Sequence, residues 1–205
     1  IVFVSINHRL GPFGFSNLAA AGGHAASGND GSLDMVAALQ WVKDNIANFG
    51  GDANNVTIIG QSGGGSKVTT LMNMPSANGL FHKAVALSGS SLIGSNKEYS
   101  EKLGLKIMEE AGLKPGEIDK LQQIPWRQYI DIADRATAKM ADEAKRMNVV
   151  RGGFSPVSDG VYLSDKAYFS DPNHFSADIP LIINTTFHEM NPNRTDASLE
   201  SISLE

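Results

Sequence analysis

The sequence predicts an α/β fold built on a mostly parallel sheet, and three observations carry that prediction. Short apolar or β-branched runs, Ile1-Val2-Phe3-Val4-Ser5-Ile6, Val56-Thr57-Ile58-Ile59, Ala84-Val85-Ala86-Leu87 and Ile179-Pro180-Leu181-Ile182-Ile183-Asn184, read as buried strands. Helical segments separate them, and strands joined by helical crossovers lie parallel under a cover of helices. The third observation is the turn Gly60-Gln61-Ser62-Gly63-Gly64, set between a strand and a helix. Glycines on both sides of a serine let the chain reverse sharply there and leave the hydroxyl exposed at the strand's end.

The elements follow in order. Residues 1–6 read as a strand already in progress; they carry no Met and no basic leader, so the chain is expected to begin inside a fold. Residues 7–28 are rich in Gly, Ala, Ser and Asn and read as a loop, with Gly11-Pro12-Phe13-Gly14-Phe15 as a compact turn. Met35, Leu39, Val42, Ile46 and Phe49 recur at steps of four and three, which puts them on one helix face, and Gly50-Gly51 ends that helix. A helix over 66–74 follows the turn at Ser62, and a link through Pro75 and Gly79 leads to the strand over 84–87. Charged amphipathic segments at 97–111, 116–123 and 126–147, broken at Pro115 and Pro125, read as a helical excursion with a solvated face and no catalytic group. The chain therefore reads as part of one domain: a core over 1–95, the excursion over 96–150 and a return to the sheet over 151–205. No internal repeat is visible.

Composition narrows the function classes. A chain of 205 residues, 41% hydrophobic and 19% charged, is long enough to bury one good-sized core. Its formal charge of -5 offers no basic surface for nucleic acid, and no apolar run approaches membrane-spanning length. Without cysteine it has no disulfide, zinc-thiolate site or cysteine nucleophile, an absence compatible with a reducing compartment and with a secreted bacterial protein alike. Localisation stays open.

Ser62 is the candidate nucleophile. A phosphate loop competes for the same glycines but needs Lys and then Ser or Thr after the last Gly, whereas Gly65 is followed by Ser66 and then Lys67. A serine hydroxyl needs a base, normally histidine, oriented by a carboxylate, together with donors for the developing oxyanion. In the order serine, acid, histidine the base follows a late acid, and none of the five histidines, His8, His24, His82, His174 and His188, qualifies well. His8 directly follows the first strand, and His188 adjoins the best acid candidate, from which an extended chain would point it away. The acid candidates are Glu189, just beyond the last strand, and Asp159 in Pro156-Val157-Ser158-Asp159-Gly160.

Several separate motifs, in order, carry a resemblance. Ser5-Ile6-Asn7-His8-Arg9-Leu10-Gly11-Pro12-Phe13-Gly14-Phe15, Gly28-Asn29-Asp30-Gly31-Ser32-Leu33-Asp34, Ala37-Ala38-Leu39-Gln40-Trp41-Val42, Asn45-Ile46-Ala47-Asn48-Phe49-Gly50-Gly51-Asp52 and Leu80-Phe81-His82-Lys83-Ala84 resemble the type-B carboxylesterase family. That family includes cholinesterases and bacterial para-nitrobenzyl esterases. The resemblance implies an α/β-hydrolase fold, a small-molecule ester substrate, and no metal or organic cofactor. It implies Ser62 as nucleophile, Gly63 as one oxyanion-hole donor, Glu189 as the acid, and Ser88 as the serine supporting that acid. It makes Asp159-Gly160 a turn before the last strand. Gln61, where cholinesterases have glutamate, and Gly63-Gly64-Gly65 in place of the commoner Ala-Gly look like bacterial members. In this family the glycine-rich oxyanion loop lies before the stretch matched here and the base histidine after it. The chain is accordingly expected to be an interior piece, incomplete at both ends, working with the remaining segments of a parent enzyme and nearly inert alone. Two other readings compete: a noncatalytic cholinesterase-like adhesion domain, and a stable scaffold without activity.

Overall fold

The computed structural model describes residues 1–149, 152–167, 170–171, 174–186 and 189. In chain order it forms α1 (Gly11–Phe15), α2 (Asp30–Asn45), β1 (Thr57–Gln61), α3 (Gly63–Met72), β2 (Lys83–Leu87), β3 (Ser95–Asn96), α4 (Lys97–Glu110), α5 (Ile118–Leu121), α6 (Trp126–Lys139), α7 (Ala141–Arg146), β4 (Val157–Ser158) and β5 (Leu181–Asn184). β1, β2 and β5 form a parallel sheet in that order, with Gln61 opposite Leu87 and Leu87 opposite Asn184. The strand ends that follow these residues therefore lie side by side.

One face of the sheet packs on α2 and α3 through Met35, Ile58, Val68, Leu71, Met72, Phe81, Ala84 and Ala86. Alternation along β1 buries Ile58 and exposes Ile59, as a strand covered on one face requires. A second core joins α4, α5 and α6 through Tyr99, Leu103, Ile107, Leu121, Tyr129, Ile132 and Ala136. The short parallel pair β3 and β4 ties the start of this helical region to the chain that leaves it. No helix among the described residues is long and apolar enough to cross a membrane.

Three expectations need correction. Residues 1–6 form no strand, and Phe3 is 80% exposed. An apolar run becomes a strand only when a neighbour completes its ladder. Here the nearest anchor is of another kind: the Arg9 backbone N–H and guanidinium bind Asp34 at 2.8–2.9 Å and the guanidinium reaches Asp30 at 3.3 Å, tying this part of the chain to α2 by charge. Phe49 leaves the buried face on which Met35, Val42 and Ile46 sit. Residues Ile46–Phe49 form a 3₁₀ turn, whose tighter winding rotates Phe49 outward against the Trp41 ring, centroids 5.8 Å apart. The segment expected as one helix over 126–147 is two, parted at the buried Met140.

A charge cluster fastens α7 to α4. Hydrogen bonds from Arg146 and then Lys102 hold the Glu143 carboxyl at about 2, far below its ordinary 4.5. A depressed carboxyl contributes stability above its ordinary value and loses it as the pH falls through the folded value. The melting temperature of Glu143→Gln should lie below wild type at neutral pH, and the two should converge between about pH 4.5 and about pH 2. A constant gap across that window would rule the cluster out as the cause.

Candidate active site

The turn at Ser62 is built by backbone contact. Ser62 stands at φ 53°, ψ -118°, between the end of β1 and the first residue of α3. That left-handed conformation costs on the order of 1–3 kcal/mol for a non-glycine residue and persists only where neighbours enforce it. Enforcement comes from two bonds: the Ser62 N–H donates to the Leu87 carbonyl at 2.8 Å, and the Ser62 carbonyl accepts the Ser66 N–H at 3.0 Å. Glycines make the approach feasible. A Cβ on Gly60 would lie 2.3 Å from the Gly64 carbonyl, one on Gly65 2.4 Å from the Gly89 oxygen, and one on Gly89 2.0 Å from the Ser62 oxygen. Gly64, although it completes the pentapeptide, meets nothing within 4 Å.

Ser62 and Gly63 are both exposed, and Gly63 opens α3, so its N–H has no partner within the helix. That leaves a donor beside the Ser62 side chain, as an oxyanion site needs.

The carboxylate lies two strands away. Ser88, at φ 51°, ends β2 as Ser62 ends β1, and its N–H donates to the Asn184 carbonyl at 2.7 Å. Glu189 follows β5; hydrogen bonds from the Ser88 hydroxyl and then the Thr186 amide hold its carboxyl below the ordinary range. Glu189 is thus an ionised acceptor at neutral pH, with an oriented carboxylate. Strands two places apart are separated by about 10 Å, a gap that one imidazole ring with a hydrogen bond at each end can bridge once the side chains lean inward. Ser62, Gly63, Ser88 and Glu189, the candidates named from the sequence, lie at neighbouring strand ends. Thr186 was not among them; its only signal is its place three residues before the glutamate.

Asp159 is held within a turn. Its carboxylate accepts the N–H groups of Val161, Tyr162 and Leu163 at 2.8–3.1 Å and the Asn29 amide at 3.0 Å, closing a turn. Among the described histidines none bonds to Ser62 or Glu189. His24 faces Asp30 at 3.1 Å, the His82 Nδ1 accepts the Val56 N–H at 3.2 Å, and His174 bridges Asn73 and Ser176 at 3.0 and 2.9 Å. Both ring nitrogens of His8 are buried without a hydrogen-bond partner. His188 lies outside the described residues.

With this geometry in view, comparison with known proteins decides the family, since the model of the carboxylesterase family matches residues 1–202. The chain belongs to the carboxylesterase family. It is 36% identical over 189 residues to para-nitrobenzyl esterase of Bacillus subtilis strain 168, an alignment covering 92% of this chain and 37% of that protein. Among solved structures, a thermophilic PNB esterase superposes with a TM-score of 0.76 at 36% identity, covering 88% of this chain and 36% of the other. A carboxylesterase from Geobacillus stearothermophilus gives 0.74 at 34% identity, covering 96% and 40%. The parallel sheet with its flanking helices is that of the α/β-hydrolase carboxylesterases. The chain spans well under half the length of each of these relatives.

Proposed function

We propose that this carboxylesterase-family chain carries the nucleophile and the acid of a serine ester hydrolase acting on small-molecule esters. The observation that supports this best is the placing of a left-handed Ser62 and a hydrogen-bonded Glu189 at the carboxyl ends of strands in one parallel sheet. In this reading a histidine held by Glu189 takes the Ser62 proton as Oγ attacks the ester carbonyl, and the Gly63 N–H receives the oxyanion. The tetrahedral intermediate collapses to an acyl-enzyme and alcohol, which takes up the proton. Water, deprotonated by the same base, attacks the acyl-enzyme and releases the acid and free Ser62. Residues 1–95 and 151–205 supply the sheet and site of one domain, and residues 96–150 its helical excursion.

No described histidine hydrogen-bonds to Ser62 or Glu189, and the 205-residue chain alone is expected to hydrolyse para-nitrophenyl acetate no faster than its own Ser62→Ala variant. A faster wild-type chain would identify one of its own histidines as the base. The acid is tested in the full-length gene product. Glu189→Gln keeps the size but loses the charge that orients an imidazole, and kcat should fall roughly 10²- to 10⁴-fold with little change in melting temperature. Asp159→Asn should show the reverse, a loss of stability with kcat nearly kept. Exchanged results would move the acid to Asp159.

A further inference from the structure

Lys67 lies four residues after Gly63, and side chains at that spacing share one face of a helix. Its Nζ is 3.4 Å from the Gly63 carbonyl oxygen and 3.7 Å from the place a Gly63 Cβ would take. The ammonium thus sits beside Gly63, the residue proposed above to present its N–H to the oxyanion.

This charge stands where local physics disfavours it. The amino end of a helix is its positive end, α3 has no acidic residue in its first turn, and Lys67 forms no ion pair with any described residue. In the helical excursion, by contrast, Lys102, Lys106, Lys120 and Lys139 each bind a glutamate. The neighbours do not cancel the charge. His8 is kept neutral, first by burial and then by the Lys67 charge, with Asp34 opposing, and Asp34 is already held by Arg9. Among the described residues the Gly63 carbonyl is the one acceptor this ammonium has, and a local rule broken beside a reacting group points to function.

We propose that Lys67 is a positioning residue for ester cleavage, its ammonium setting the electrostatic potential at the Gly63 face of the turn so that the oxyanion is favoured over the neutral ester. The proposal rests on the reading of Ser62 and Gly63 given above. The ester carbonyl is uncharged and its tetrahedral intermediate is an anion, so a cation several ångströms away acts on kcat far more than on KM.

The test uses the full-length gene product with para-nitrophenyl acetate. Lys67→Met should lower kcat roughly tenfold, hold KM within about twofold, and leave the melting temperature unchanged or raised, because an unpaired cation leaves the wrong end of a helix. Lys67→Arg, which keeps the charge, should stay within roughly threefold of wild type in kcat. An unchanged kcat in a folded Lys67→Met variant overturns the proposal. A joint fall of kcat and melting temperature overturns it too, since that marks a structural lysine. Ser62→Ala measured alongside separates the two levels: if it keeps its activity, the reading of the turn and the role of Lys67 fall together, and if it is inactive, the Lys67 results stand on their own.

Discussion

Ser62→Ala in the full-length gene product is expected to lower kcat for para-nitrophenyl acetate by at least about 10⁴-fold, with the melting temperature nearly unchanged or raised. The size follows from what the hydroxyl does: without it no acyl-enzyme forms, and what remains is ester binding and an oxyanion donor at Gly63. The direction of the stability change has a separate origin. Alanine keeps the same backbone conformation at φ 53°, and neither of the bonds that enforce the turn involves the side chain, since both are made by the Ser62 backbone. A variant retaining a tenth of wild-type turnover would place the nucleophile elsewhere.

The second large effect concerns the glycines and separates them sharply. Gly89→Ala sets a methyl group 2.0 Å from the Ser62 carbonyl oxygen, and Gly60→Ala sets one 2.3 Å from that of Gly64. In both cases the obstacle is backbone already committed to the turn, so relief requires parting β1 from β2 or lifting α3. A loss of several kcal/mol is expected, at or beyond the upper end of ordinary overpacking. Gly64→Ala, which meets nothing within 4 Å, should stay within about 1 kcal/mol of wild type. Urea denaturation of the three variants checks the order. Equal stabilities for Gly64→Ala and Gly89→Ala would contradict the packing described for the turn.

That contrast shows what a motif conveys and what it hides. The pentapeptide marks Ser62, but its final glycine has open space around it, while Gly89, outside the motif and distant in sequence, is the tighter fit. Only the pairing of β1 with β2 brings Gly89 against Ser62, and strand order is not written in local periodicity. The same holds for the proposed acid. A glutamate in a loop carries no pattern of its own, so Glu189 was legible through family resemblance; its hold by Ser88 follows from β2 lying beside β5. Strands over 57–61, 83–87 and 181–184 could be read because each is a short apolar run that finds a neighbour. The run over 1–6 has the same character and finds none. Helices of the excursion were legible from their amphipathic spacing, while the break at Met140 and the outward turn of Phe49 depend on backbone winding that side-chain pattern does not encode.

An activated Ser62 nucleophile in an ester hydrolase can be read by covalent trapping. The full-length gene product is treated with a fluorophosphonate, digested, and mapped by mass spectrometry. One adduct per chain is expected, on the peptide bearing Gly60-Gln61-Ser62-Gly63, and it should be lost in Ser62→Ala. No adduct, or an adduct on Ser88 or another serine while Ser62 stays unmodified, would contradict that role for Ser62.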